Sequence, residues 1–297
     1  MDTLGFLGPL GTHSEAAALH LNGFLDEPRE LMGFPAIFQA LLAVEEAQVK
    51  GALVPVENSL EGSVNITLDT LSASDAFAVT LELIWGVRNE LMVKYPQSEI
   101  RSVISHAQPL SQCRAYLKAH CPHAKLVAVS STAEAARLVA ESRPADGCAA
   151  ICTARAGELY GLFPVAKDIQ DTMANCTRFF LVERAGANPP ALRFCKEPVP
   201  EKMLVILQID GKRAGSLCEV LQEFASRGVN MVRIESRPAR TEFGAYIFFF
   251  ELEVKDKEQL AASIAAVREK SIWLRTLGAF PVLTAANLKG APLWSSL

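Results

Sequence analysis

A threonine and an arginine stand side by side in Asn175-Cys176-Thr177-Arg178-Phe179-Phe180, where the apolar run Phe179 to Val182 begins. A hydroxyl can hydrogen-bond a reacting oxygen and a guanidinium can hold an anion, so the pair could place a charged substrate and assist a breaking bond. The edge of a sheet with its arginine in a surface ion pair would use the same residues. Polar groups gather in the same way beside other apolar runs. Gly8-Pro9-Leu10-Gly11-Thr12-His13-Ser14 follows a first apolar strand and reads as a turn with a capped helix start. Its free N–H groups suit a carboxylate or phosphate, although an ordinary N-cap looks the same. Glu57, Asn58 and Ser59 follow Pro55-Val56. Three polar side chains there are hard to explain as core, while an Asx turn could absorb the last two. Ser105-His106-Ala107-Gln108 follows Val103-Ile104, with Gln112 one helical turn beyond Gln108; Ser105 is placed to cap that helix.

These loops need elements to hold them. Thr3 to Leu7 reads as a strand, Ser14 to Leu21 and Ile37 to Glu46 as helices, and Ala52 to Pro55 as a strand. A long apolar pair follows around Ala76 to Val93, then strand Val103 to Ser105, helix Leu110 to Ala119, strand Leu126 to Val129, helix Ala133 to Glu141 and strand Ala149 to Ile151. The alternation predicts an α/β fold with a mainly parallel sheet, in which loops after strand C-termini carry the ligand. Periodicity stops between Arg184 and Lys202, where Gly186, Asn188, Pro189, Pro190, Pro198 and Pro200 gather as in a linker. The expected division is 1–184, a linker 185–201, a second domain 202–283 and a tail 284–297.

Composition narrows the function class. The 297 residues are half apolar and carry a formal charge of −4, which provides no electrostatic footprint for nucleic acid or an anionic membrane. No apolar stretch reaches the span of a membrane helix, and Met1-Asp2-Thr3-Leu4-Gly5 has neither a basic leader nor a cleavage site, so a mature cytoplasmic protein is expected. The seven cysteines and five histidines are scattered without metal-ligand or redox spacing, so neither disulfide nor metal is expected.

The chemical segments, taken in order, resemble the prephenate dehydratase family: Gly8-Pro9 with Gly11-Thr12 and Ser14; Pro55-Val56-Glu57-Asn58-Ser59; Ser105-His106 with Gln112-Cys113; Ala150-Ile151; Tyr160-Gly161-Leu162; Asp168-Ile169-Gln170-Asp171; and Asn175 with Thr177-Arg178-Phe179. His13 stands where that family usually has an aromatic residue, and Ala107 where it commonly has proline. The second part predicts βαββαβ order, the ferredoxin-like plan, and resembles an ACT domain, a module that commonly binds amino acids. Gly215-Ser216-Leu217 stands where the family has a glycine-alanine-leucine turn, with Ser216 for the usual alanine and Ala214 for a usual proline, and Glu235-Ser236-Arg237-Pro238 matches its effector motif unchanged.

The resemblance implies a two-lobed catalytic domain like the periplasmic binding proteins, followed by the ACT domain. It implies decarboxylating dehydration of prephenate to phenylpyruvate without cofactor or metal, under feedback by L-phenylalanine. Thr177 is expected to serve the departing hydroxyl and Arg178 to clamp a carboxylate; Asn58, Ser105 and Gln112 are expected to orient the substrate and Glu57 to buffer the proton. Thr12, Ser14, Ser59 and Phe179 are expected in the substrate site. Ala214, Gly215, Ser216, Leu217, Asn230, Glu235, Ser236, Arg237 and Pro238 are expected to hold the effector. A homodimer or homotetramer through both domains is expected as well. Arogenate dehydratase and a non-catalytic amino acid sensor are the alternatives.

Overall fold

The computed structural model describes residues 2–96, 99–242 and 244–284. It opens with β1 (Thr3–Leu7), α1 (His13–Phe24), β2 (Glu30–Phe34), α2 (Ile37–Glu45), β3 (Gly51–Asn58), β4 (Gly62–Ser63), α3 (Asn65–Ala73) and β5 (Phe77–Gly86). The chain then crosses into a second lobe of β6 (Glu90–Val93), β7 (Ser102–Ser105), α4 (Ala107–Gln112), α5 (Arg114–His120), β8 (Lys125–Ala128), α6 (Thr132–Ala140), β9 (Cys148–Cys152), α7 (Ala154–Tyr160) and β10 (Phe163–Ala166). It returns to the first lobe as β11 (Cys176–Arg184). The third unit is β12 (Lys202–Gln208), α8 (Ser216–Ser226), β13 (Met231–Pro238), β14 (Tyr246–Glu253), α9 (Lys257–Glu269) and β15 (Trp273–Phe280), after which comes β16 (Val282–Thr284).

Three sheets result, in the orders β16-β5-β11-β3-β1-β2 with β4 on β3, β10-β6-β9-β7-β8, and β13-β14-β12-β15. The first two are mixed rather than mainly parallel. β1 pairs parallel with β2 and β3, but β11 comes back from the other lobe and runs antiparallel between β3 and β5. The two apolar segments at 76–93 do not pair with each other, because β5 and β6 belong to different sheets. The two passages between lobes are fastened where they meet: Val87 N–H donates to the Asn175 carbonyl (2.9 Å) and Ile169 N–H to the Asn89 carbonyl (3.0 Å). This two-lobed plan with a double crossing leaves a cleft between the lobes.

The helix expected from Leu110 to Ala119 is broken at Cys113 by that same crossing. Asp171 N–H takes the Gln112 carbonyl (2.6 Å), and the Asp171 carboxylate accepts from Ala115 N–H (3.1 Å), so one helix ends and another starts within two residues. β2 went unpredicted because it is a short, largely exposed edge strand without strict alternation.

The third unit has the ferredoxin-like sheet order, and its two faces have different partners. Along β12, Val205 and Leu207 pack with Val220, Phe224, Leu260 and Val267 under the unit's own helices. Leu204 and Ile206 instead share a core with Val54, Phe180 and Val182 of the first sheet. Strand alternation thus welds the third unit to the first lobe. β16 extends this by pairing parallel with β5, so Val282 and Leu283 belong to the first sheet although the sequence assigned them to the second domain. Of the expected tail, all but Thr284 lies outside the described residues.

Candidate active site

β11 begins at Cys176, ahead of the apolar run, which makes Thr177 and Arg178 strand residues. Successive strand residues face opposite sides, so the pair is divided between two faces. Thr177 lies opposite Asn58 of β3, and Arg178 opposite Glu57. The first couple looks into the cleft and the second toward the third sheet.

The cleft is about 700 Å³ in volume. Pro55, Asn58, Thr177 and Phe179 line it from the first sheet; Thr12, His13 and Ser14 from the start of α1; and Gln108, Gln112, Ser131, Thr132 and Arg137 from the second lobe. A hydrogen-bonded chain of side chains crosses its floor. Asn58 Nδ2 donates to Thr177 Oγ1 (3.1 Å) and to Asn175 Oδ1 (3.0 Å), and Asn175 Nδ2 donates to Gln112 Oε1 (3.1 Å). Asn58 itself is fixed, since its Oδ1 accepts from Leu60 N–H (3.0 Å) and Glu61 N–H (3.2 Å) as an Asx turn. Among the described residues no acceptor takes the Thr177 proton, which is therefore free to point into the cleft.

Three helices, α1, α4 and α6, begin at the cleft wall. Thr12 caps α1 by accepting from Glu15 N–H (3.3 Å), and Ser131 caps α6 by accepting from Glu134 N–H (3.0 Å). Helix N-termini favour anions, and Arg137 on α6 adds a guanidinium, half-exposed and paired with Glu141 (2.9 Å). Ser131, Thr132 and Arg137 were not singled out in the sequence, although Ser130-Ser131-Thr132 follows a strand and precedes a helix as the other loops do. Asn175 was quoted for the resemblance but given no role; it is almost fully buried and joins the two lobes.

Four sequence-derived expectations need correction. Arg178 cannot clamp a substrate in the cleft, because its guanidinium is turned to the far face and consumed by three carboxylates. Nε donates to Glu82 (2.5 Å), Nη1 to Glu57 (2.6 Å) and Nη2 to Glu251 of β14. Lys202 reaches Glu82 (2.9 Å), while Arg233 reaches Glu57 (3.4 Å), Glu251 (3.2 Å) and Glu235 (3.2 Å). Burial pushes the Glu82 carboxyl up, but Arg178 and Lys202 outweigh it and hold the group below its usual range. Burial likewise works against the Arg178 charge, and Glu82 with Glu251 more than restores it. Glu57 belongs to this cluster and does not line the cleft, so it buffers no proton there. Ser105 is buried and donates to the Ile151 carbonyl (2.7 Å), while His106 caps α4 in its place. Ser59 ties β3 to β11, donating to the Ala174 carbonyl (3.1 Å) and accepting from Cys176 N–H (3.0 Å).

The residues expected to hold an effector fall into two groups. Ala214, Gly215, Ser216 and Leu217 line a pocket of about 420 Å³ at the start of α8, beside Tyr246 and Phe248. Gly215 has φ 87°, which a side chain would strain. Glu235 and Arg237 instead face the first lobe: Glu235 accepts from Ser63 (2.8 Å), and Arg237 binds Asp69 through two hydrogen bonds (2.9 and 3.1 Å). Ser236 and Pro238 pair with Phe248 and Tyr246 along β14, and the Asn230 carbonyl accepts from Glu253 N–H (2.9 Å). Within one chain the 235–238 segment and Asn230 do not line the Gly215 pocket.

Among the described residues no group of His, Cys, Asp and Glu has the arrangement of a metal site. No helix there is long and apolar enough to cross a membrane.

Family models describe residues 4–187 as prephenate dehydratase and 205–269 as an ACT domain. The prephenate dehydratase of Methanocaldococcus jannaschii is 33% identical over 274 residues, 92% of this chain and 96% of that protein. The crystal structure of prephenate dehydratase from Arthrobacter aurescens in complex with L-Phe superimposes with a TM-score of 0.81 at 32% identity, covering 94% of this chain and 90% of that one. A structure described as a novel type of quorum-quenching acylase has the same TM-score at 25% identity, covering 95% and 98%. With a family match across both lobes and a relative aligned along nearly its whole length, this chain belongs to the prephenate dehydratase family.

Proposed function

We propose that the chain converts prephenate to phenylpyruvate, carbon dioxide and water. The carboxylate on the ring leaves as carbon dioxide, its bonding pair moves into the ring, and the 4-hydroxyl departs and takes a proton to become water. Aromatisation drives the step, so the protein must position the dianion and stabilise the leaving oxygen more in the transition state than in the ground state. The observation that carries this reading is the Thr177-Asn58-Asn175-Gln112 chain on the cleft floor, with the N-termini of α1 and α6 above it. Asn58 donates to Thr177 Oγ1 and turns the threonine proton outward, toward the oxygen that leaves. A threonine is too weak an acid to hand over a full proton at neutral pH, so its contribution is a hydrogen bond. With Arg178 withdrawn, the substrate carboxylates are assigned to the starts of α1 and α6 with Arg137.

Acyl transfer needs a nucleophile with a base beside it. Thr177 Oγ1 receives an amide hydrogen bond instead, which favours dehydration over acylase chemistry. Catalysis is assigned to residues 1–184, with β16 completing their sheet, and regulation by L-phenylalanine to 202–280, joined by 185–201. The effector site is assigned to the Gly215 pocket of one copy and the 235–238 strand of another. β13 supports this, being the edge of its sheet with Val232 and Ile234 exposed. All seven cysteines are unpaired, which supports a reducing cytoplasm.

Purified protein is expected to release phenylpyruvate from prephenate, read by the absorbance of its enolate in alkali, and to slow when L-phenylalanine is added. Absence of phenylpyruvate would reject the activity, and turnover indifferent to phenylalanine would reject the regulation.

A further inference from the structure

We infer that His13 and Asn89 form an uncharged hydrogen-bonding subsite in the cleft that takes the side-chain keto oxygen of the substrate and disfavours an amino group in its place. The inference rests on the dehydratase reading and identifies which form of the substrate the cleft prefers.

Both residues line the cleft, His13 as the first residue of α1 and Asn89 where the chain crosses between lobes. The Asn89 backbone is held on both sides, its N–H donating to Gln170 Oε1 (2.9 Å) and its carbonyl accepting from Ile169 N–H (3.0 Å). Its side chain is fully buried beside the Cys113 thiol and the His13 ring, yet neither amide atom has a hydrogen-bond partner of good geometry. The buried Nε2 of His13 has none either, although the Asn89 amide lies close enough to favour the imidazolium slightly. Buried polar atoms rarely stay unsatisfied, and three on two neighbouring residues in one cleft mark a place where a ligand completes the bonding. The other polar groups of the floor, Asn58, Asn175 and Gln112, already serve one another.

The chemistry of the missing group follows from charge. Burial drives the His13 pKa down to about 4, so at neutral pH the ring is uncharged and offers one N–H. A keto oxygen has two lone pairs and can accept from His13 and from the Asn89 amide together. An ammonium would bring a full charge against neutral groups, which is costly without a counter-charge. The cleft carboxylate Glu134 is held at the start of α6, where its Oε2 accepts from both the N–H (2.9 Å) and the hydroxyl of Ser130. Prephenate has the keto oxygen at this position and arogenate the amino group.

The test compares kcat/KM for prephenate and arogenate, with thermal unfolding, in wild type and in Asn89→Leu, His13→Leu and His13→Gln. Wild type is expected to prefer prephenate. Asn89→Leu and His13→Leu should each lose about tenfold on prephenate and far less on arogenate. Asn89→Leu should keep or raise the melting temperature, since it removes an unpaired buried amide. His13→Gln, whose Nε2 reaches a similar place, should retain most of the prephenate activity. Equal losses on both substrates, no loss on either, or a lower melting temperature in Asn89→Leu would overturn the subsite. A wild type active on arogenate alone would overturn it while leaving the dehydratase class standing. Turnover of neither substrate would overturn both.

Discussion

Thr177 and Arg178 are neighbours in the chain and strangers in space. Their types were legible in the sequence, but the side each faces depends on where the strand starts, and a three-residue difference at a strand end is beyond what local pattern can resolve. Once both are in β11, register decides the rest: Thr177 goes with Asn58, and Arg178 with Glu57. Ser59 and Ser105 had the right residue type beside the right strands, yet their hydroxyls serve the backbone. Thr177→Val keeps the shape and removes the donor. Its kcat for prephenate should fall about 10²-fold to 10³-fold with KM and melting temperature nearly unchanged, as when one oriented donor is lost. A turnover equal to wild type in a stopped assay would remove Thr177 from the reaction.

At the scale of elements, the alternation of strands and helices was readable because each element buries one face with its own period. Which sheet a strand joins was not, since β5 and β6 have equally apolar patterns and separate only at the hinge. The break at Cys113 was hidden for a similar reason, as the groups that cause it come from Asp171, far along the chain. β15 shows how closely the elements are fitted. Gly278 has φ 130°, and a Cβ there would come within 2.5 Å of the Val79 carbonyl oxygen of β5. Gly278→Ala must therefore both strain its backbone and push the third sheet off the first. A loss of about 2 kcal/mol or more in denaturant unfolding is expected. An unchanged midpoint would mean that the two sheets are not pressed together at this point.

Across the whole molecule, the expected linker does not separate two independent bodies. An apolar core runs through both domains, β16 returns to the first sheet, and Arg178, Lys202 and Arg233 interleave with Glu57, Glu82, Glu235 and Glu251 at the junction. Breaking a buried ion cluster by removing one member typically costs several kcal/mol, so the cluster favours one relation of the domains strongly. β11 stands between the two functions, with a hydroxyl in the cleft on one face and a guanidinium in the junction on the other. An effector that alters the third sheet can thereby reach the reaction through one strand. Steady-state prephenate kinetics of Arg178→Lys, with and without L-phenylalanine, test this division most directly. Lysine keeps the charge but lacks the planar fork whose three separate nitrogens reach Glu82, Glu57 and Glu251. KM is expected to stay within about threefold of wild type and the half-inhibitory phenylalanine concentration to change by about tenfold. A KM raised tenfold or more with the phenylalanine response intact would contradict this division and return Arg178 to the substrate.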